Sequence, residues 1–540
     1  MIVGASPALT RAELVGLALL WAFAGPVVFL YFAAAAGFGV TSAAAAAITA
    51  VGATALGIGG WSAADPQRDR GDLAVLLGTI TVTIGYLLWL GWPSLLPPGS
   101  GPDLTHHLLL VDYIERLGSP LTDDVARLGE MASYTPGVHL LAVASGSLLG
   151  VPGFFTIYAV VVSSVALKFG IFSLVLLRLG STERARIPLA AAGTAWLFLL
   201  PAFTIDSFAH DSFLAQVVAE LFGVAMFWAV VAWAQRPSAW PAAVFGVAGM
   251  ATFLTWPVWT GPMLAALPLV MLLQRATPRA ARWRHFAVAV GPVLLVAAFH
   301  TVSRTAALPI LATSGAVPQP SLAAIGWTLP LLAAPGLVLA TSTAAGRAAC
   351  AVALGLAAQA GALWLLARHS GAATPYMALK MGYLAVYPSI ALAVIALGHL
   401  PRPRAWAWLA ALFAIGGAVA HATTTHYTAP TVSADLWRAG TWARSNLPAD
   451  NVDYLVRDEY TAYWLHLAVL GNSRSASRSM DDDTYLTEPS FARWIIDADA
   501  PRYAIGKFSA LPREIRDRSR VIQQFGDAVV IERMPPDPAR

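Results

Sequence analysis

The sequence predicts a mainly α-helical, polytopic transmembrane domain of about thirteen helices over residues 1–421, followed by a small C-terminal α/β domain over residues 422–540. Three observations predict it. Of the 540 residues 57% are apolar and 12% charged, with a mean hydropathy of +0.63, far from the mix of a water-soluble globular protein. Apolar runs of the ~20 residues that a spanning helix needs recur through the first part of the chain. Near His421 the composition then shifts to charged and turn-forming residues.

The apolar runs lie at 14–37, 41–61, 73–95, 153–179, 187–204, 213–234, 241–257, 260–274, 286–303, 326–342, 348–367, 382–399 and 405–421. The first follows Arg11 and is too long for the core of a cleaved signal peptide, so it reads as a spanning helix. With a cytoplasmic N-terminus, Arg11, Arg68, Arg70, Arg178, Arg184, Arg186, Arg236, Arg275, Arg279, Arg282, Arg284, Arg347, Arg402 and Arg404 share one side. Only Arg116, Arg127, Arg304, Arg368 and Lys380 fall on the other. Fourteen against five is the bias that marks a cytoplasmic face, and it sends the C-terminal domain outside. The net charge of +4 therefore reports orientation rather than an affinity for nucleic acid. Cys350, the single cysteine, sits in an apolar run and excludes an intrachain disulfide. The Ala- and Arg-rich usage fits the inner membrane of a bacterium with a GC-rich genome.

Residues 134–150 are apolar but short, and they are interrupted by Pro136 and Gly137. Counting them as a span would invert every later loop against the arginine bias, so they are expected to form a re-entrant or juxtamembrane helix. The first outer loop then covers residues 97–152.

Polar side chains concentrate on the outer side. In the first loop Leu108, Leu109, Val111, Ile114 and Leu117 predict an amphipathic helix lying on the membrane surface. Asp103, His106 and His107 share a face at its start. Locally, Asp103 serves equally well as an N-cap, with the histidines tolerated at a wet interface. The loop between the fifth and sixth runs carries Asp206, His210 and Asp211, which read either as capping and loop polarity or, with the first loop, as a general base or divalent-cation site. Lys168 and Glu220 lie inside the bilayer, where they pair or line a polar cavity. Lys380, at the mouth of the twelfth run with Arg304, Arg368 and Tyr376, has the chemistry to hold an anionic headgroup; snorkelling is the alternative. Trp256 and Trp259 fit an interfacial belt or a sugar-stacking surface.

In the tail, residues 435–448 predict an amphipathic helix, and residues 452–458, 501–508 and 527–534 predict strands. Asp481, Asp482 and Asp483 read as a solvated loop, since three adjacent carboxylates do not face one point.

The segment PDLTHH, the helix after it, the YTPGVHLL run and the tail's LWRAGTWARSNLPADNVDYLV together resemble the GT-C class of membrane glycosyltransferases, which includes protein O-mannosyltransferases, lipid A aminoarabinose transferases and actinobacterial arabinofuranosyltransferases. The resemblance covers nearly the whole chain as an arrangement, through short and degenerate motifs. More than one helix precedes the first long loop where the simplest members have one, which argues against close orthology. By position, Asp103 matches the class's first-loop catalytic acid, and Asp206 or Asp211 the second-loop acid. The resemblance implies inverting transfer of a hexosyl or pentosyl group from a polyprenyl-phosphate donor to a glycan, lipid or protein acceptor of the cell envelope. Asp103 would take the acceptor proton, while Lys380, Arg304 or Arg368, with Tyr376, would steady the departing phosphate. His106, His107, His210, Tyr134 and His139 are expected among the substrate-binding groups. A divalent cation, Mg or Mn, would be held by Asp103, Asp206, Asp211 and His210. A flippase for a lipid-linked saccharide would also have many spans and buried charges, and an O-antigen ligase or polymerase would use a diphosphate donor; the carboxylate-rich loop and the outer domain favour the transferase.

Overall fold

The computed structural model describes residues 9–39, 42–61, 66–93, 95–96, 103–117, 128–180, 183–303, 311, 314–315, 317–425, 432–448, 451–469, 487–497 and 499–534. Arg304 and Asp481 to Asp483 lie outside the described residues. Among those residues every predicted span coincides with a helix: α1 Arg11–Ala35, α2 Ser42–Trp61 and α3 Pro66–Gly91; then, after two intervening helices, α4 Asp103–Leu117 and α5 Gly137–Leu149, come α6 Ile157–Leu179, α7 Glu183–Trp196, α8 Leu214–Gln235, α9 Ala239–Thr255, α10 Thr260–Leu273, α11 Arg279–Ser303, α12 Thr328–Ala340, α13 Ala344–His369, α14 Tyr376–His399 and α15 Pro403–Thr425. Eight of these helices are long and apolar enough to cross a bilayer unaided, which makes the chain a multi-pass membrane protein.

Polar pairs mark one end of the bundle. Glu13, in the first turn of α1, binds Arg178 in the last turn of α6; Arg178 also donates to Gln235 at the end of α8, at 2.9 Å. Arg186 of α7 meets Asp72 of α3 at the same kind of terminus. These contacts fix the helix directions: α3 runs away from this end and α6 returns to it, with α4 and α5 the α-helices between them among the described residues. Helix α5 has 13 residues, about 20 Å of rise against a ~30 Å hydrocarbon core. It therefore stays at the far end, as the broken run at Pro136 and Gly137 leads one to expect.

The surface position expected for α4 is not what is found. From Leu104 to Ile114 nearly every side chain is buried, because the bundle covers one face and the C-terminal domain the other. Asp112 pairs with Arg444 of helix α16 (Ala434–Asn446), and His106 stands edge-on to Tyr463 of helix α17 (Glu459–Val469), rings 5.0 Å apart. The amphipathic pattern is real, but its polar positions are met by protein rather than by headgroups.

Within the bundle Lys168 of α6 and Glu220 of α8 bond to each other, and Tyr387 of α14 donates to the same carboxylate oxygen at 3.1 Å. Pairing in this way spares each charge an uncompensated burial. The C-terminal domain is a four-stranded sheet in the order β1-β2-β4-β3, with β1 (Val452–Leu455) parallel to β2 (Tyr503–Lys507) and the rest antiparallel. Strand β3 (Ser519–Phe525) was not predicted: it is an edge strand with exposed or half-buried side chains, so it lacks an apolar signature. Gly526 at φ +57° turns it into β4 (Ala528–Arg533), whose side chains up to Glu532 are buried.

Candidate active site

Lys380 stands on the second turn of α14, only 3% exposed. Its ammonium lies 4.0 Å from the ring centroid of Phe213, 4.5 Å from Tyr376 and 4.9 Å from Trp256. The rings come from three places: the residue before α8, the previous turn of α14, and the turn that ends α9. Aromatic faces attract a cation by ~0.5–2 kcal/mol each without quenching its charge. A cation held in this way is oriented, poorly hydrated and suited to an anion.

From Trp256 the site continues inward. Tyr134 packs on Trp256 with rings 5.8 Å apart and meets His107 edge-on at 5.7 Å. His107 Nδ1 is 2.9 Å from His139 Nε2, and the two imidazoles stack. Burial, then the neighbouring His139, His106 and Lys380, hold His107 well below the usual histidine range. Burial likewise lowers His139 to about 3. Both imidazoles are therefore neutral at physiological pH, a donor and acceptor pair rather than a second cationic patch. Tyr134, in ring contact with both His107 and Trp256, joins the imidazoles to the ammonium that Trp256 faces. Asp103, half-buried, opens α4 one turn before His107. His106, expected on the same face, turns to the C-terminal domain instead, where burial and the nearby His466 lower it to about 4.

The second loop is built from two short helical turns, Pro201–Thr204 and Asp206–Ala209. Asp211 bonds to the exposed His210 at 2.8 Å. Burial raises the Asp211 carboxyl above its ordinary value, and Lys380 and His210 oppose that effect. Asp206 faces a residue for which sequence offered only a domain boundary. Its Oδ1 is 3.1 Å from His421 Nε2, and His421 Nδ1 is 2.7 Å from the Tyr86 hydroxyl. Tyr86 and His421 sit in α3 and α15, 335 residues apart, and no local pattern links them. The ionisable His421 at the end of an apolar run was the one available signal.

Among the described residues no group of three His, Cys, Asp or Glu side chains converges on a point where a metal ion would sit. Of the set Asp103, Asp206, Asp211 and His210, only Asp211 and His210 bond to each other, while Asp206 turns to His421. The expected cationic cluster also divides: Arg368, exposed at the end of α13, lies over its own helix's Trp364 at 5.5 Å.

An apolar cavity of about 430 Å³ adjoins the site between α9, α10, α11 and α13, with Tyr134, Trp256, Leu264, Leu294 and Leu363 among its walls. Trp256 belongs to both: it lines this cavity and faces the Lys380 ammonium.

No protein-family model and no curated protein sequence matches the chain. Solved structures do. The chain is similar to the archaeal oligosaccharyltransferase AglB from Archaeoglobus fulgidus, solved in complex with an inhibitory peptide and a dolichol-phosphate: TM-score 0.52, 11% identity, covering 82% of this chain and 70% of that one. A crystal structure of the Archaeoglobus fulgidus oligosaccharyltransferase with Zn and sulfate gives TM-score 0.50 at 13% identity over 81% of this chain and 68% of that one. The arabinofuranosyltransferase AftD from Mycobacteria gives 0.55 at 16% over 86% of this chain but 40% of that one, so the chain spans about two fifths of AftD. At these identities the likeness is one of fold.

Proposed function

We propose that this chain, which has the GT-C fold of membrane glycosyltransferases, transfers a sugar from a polyprenyl-phosphate donor to an acceptor hydroxyl of the cell envelope, with inversion, on the outer face of a bacterial inner membrane. The observation that carries the reading is Trp256, which joins an apolar cavity between helices to a caged ammonium. An amphiphile with a hydrocarbon tail and a phosphate fits that junction; a soluble nucleotide sugar has no use for the apolar half. The dolichol-phosphate in the AglB structure is a molecule of this kind.

In the reaction the acceptor oxygen attacks the anomeric carbon while the bond from that carbon to the phosphate oxygen breaks. The acceptor proton passes to Asp103, one turn from the neutral imidazole of His107. The departing polyprenyl phosphate goes from a diester with one negative charge to a monoester with two. Lys380 opposes that growing charge, which makes its contribution larger in the transition state than in the bound donor. Tyr134, His139 and His107 provide uncharged hydrogen-bonding groups for the sugar. The arginine bias supports residues 1–421 as a membrane domain with its N-terminus inside, and residues 422–540 as an outer domain over α4. Asp206 and Asp211 are engaged by imidazoles, and no step is assigned to a divalent cation.

The test is transfer in proteoliposomes from a polyprenyl-phosphate sugar, comparing the wild-type chain with Asp103→Asn. Retention of full transfer by D103N sinks the assigned base, and use of only a diphosphate-linked donor sinks the donor class.

A further inference from the structure

A second apolar cavity, about 760 Å³, lies between α3, α7 and α15, a different set of helices from those around the first. Its wall on α3 runs from Gly71 to Trp89, about 27 Å of rise, close to the ~30 Å thickness of a bilayer's hydrocarbon core. At the end that carries the C-terminal domain the wall contains Tyr86, whose hydroxyl meets His421 and, through it, Asp206. Asp206 is 28% exposed, and its backbone carbonyl accepts from the Asp211 amide at 2.9 Å. The groove therefore ends in a polar triad on the border of the site already described.

The two cavities differ in the sign of the charge at their polar ends. One ends at an ammonium, the other at a carboxylate behind an imidazole and a phenol. A phosphate headgroup is attracted by the first and repelled by the second, whereas a sugar hydroxyl can donate to the phenol oxygen, whose own proton goes to His421, and to the partly exposed Asp206 carboxylate. We propose that the groove between α3, α7 and α15 binds the hydrocarbon chain of a second lipid with an uncharged, hydroxyl-bearing headgroup, a neutral glycolipid, oriented by Tyr86, His421 and Asp206. This rests on the glycosyl-transfer reading only for its consequence, that the acceptor is anchored in the membrane; binding itself stands without it.

The full chain in phosphatidylcholine nanodiscs would be photolabelled with a diacylglycerol monoglucoside carrying a diazirine in one acyl chain, and in parallel with a phosphatidate of the same chains. Cross-linked peptides are then mapped by mass spectrometry. The glucolipid is expected to label α3 and α15, and the phosphatidate to do so at least about tenfold less. A side chain built at Gly78 points into open space in the groove, with nothing within 4 Å of the new Cβ. Gly78→Leu should therefore fold normally and cut the glucolipid label by about tenfold or more. Tyr86→Phe should weaken it several-fold and leave the phosphatidate label unchanged. Equal labelling by both lipids, or labelling indifferent to G78L, overturns the proposal and marks ordinary annular lipid. A chain that labels as expected but never transfers sugar refutes the enzyme reading and leaves the groove; one that transfers sugar while the groove stays unlabelled refutes the groove.

Discussion

Replacing Lys380 by methionine removes one positive charge at nearly constant volume. The three rings at 4.0, 4.5 and 4.9 Å lose a cation and keep an apolar contact. Relief of the ammonium's desolvation cost is offset by the loss of its pull on the three rings and on the Asp211 carboxyl, so K380M should melt within a few degrees of the wild type. Catalysis is another matter. An ammonium about 4 Å from a phosphate oxygen at an effective dielectric near 20 is worth ~4 kcal/mol per unit charge. The leaving phosphate gains one unit between bound donor and product, so roughly half of that, and at most all of it, is realised at the transition state. The expected loss is therefore about 30-fold to 10³-fold in turnover, the range seen when a preorganised charge-stabilising donor is deleted. Single-turnover transfer in proteoliposomes with saturating donor isolates this step. Lys380→Arg should fall between the two, since a planar guanidinium keeps the charge but does not fit a cage built for an ammonium. A K380M protein that melts normally and transfers within threefold of wild type refutes the role of the caged cation.

Other perturbations read neighbouring parts of the molecule. Trp256→Ala should weaken polyprenyl-phosphate binding far more than inorganic phosphate binding, measured by competition, because the indole faces both the lipid cavity and Lys380. Arg444→Ala leaves the buried Asp112 with Arg116 at 3.8 Å as its cation and should loosen the C-terminal domain by about 1–3 kcal/mol, read as faster amide exchange in α16 and α17, with Asp112→Asn restoring part of the loss. Acidification should loosen the same contact. His106 is lowered to about 4 when docked, so the undocked chain binds the extra proton; stability is full above about pH 6.5, falls as pH drops, and has lost roughly 3 kcal/mol once pH passes 4. Exchange in α17 that is flat between pH 7 and 4.5 contradicts that.

The spans were legible because a membrane helix must declare itself in a single run of about 20 apolar residues, and the interval between α3 and α6 was legible because Pro136 and Gly137 break such a run. Lys168 and Glu220 could be suspected of pairing because a charge in a span has few other options. What escaped was set by long-range packing. The cage around Lys380 draws on Phe213 and Trp256, more than 120 positions away, and each reads locally as an ordinary interfacial aromatic. The relay from Asp206 to Tyr86 passes through His421, in the last span, and strand β3 hid behind a polar edge. The separation of His106 from His107 was readable in principle, since adjacent residues on a helix point about 100° apart.

The burial of α4 under the C-terminal domain has a consequence for how substrates arrive. Had α4 lain on the membrane surface, Asp103, His107 and Lys380 would face water directly. Instead α16 and α17 cover it through the Asp112–Arg444 pair and the His106–Tyr463 contact, while the bundle closes the other face. The apolar cavities lie laterally, between spanning helices, at about 430 and 760 Å³. Lipid-anchored molecules can therefore reach the site from within the bilayer with the domain still docked, whereas a bulky soluble substrate would have to displace it. Transfer from a lipid donor should then be insensitive to a disulfide locking α4 to α16, introduced as Arg116→Cys and Ser445→Cys variants screened for cross-linking. Loss of transfer on oxidation, restored by reductant, would show that the domain has to lift and that the route is not lateral.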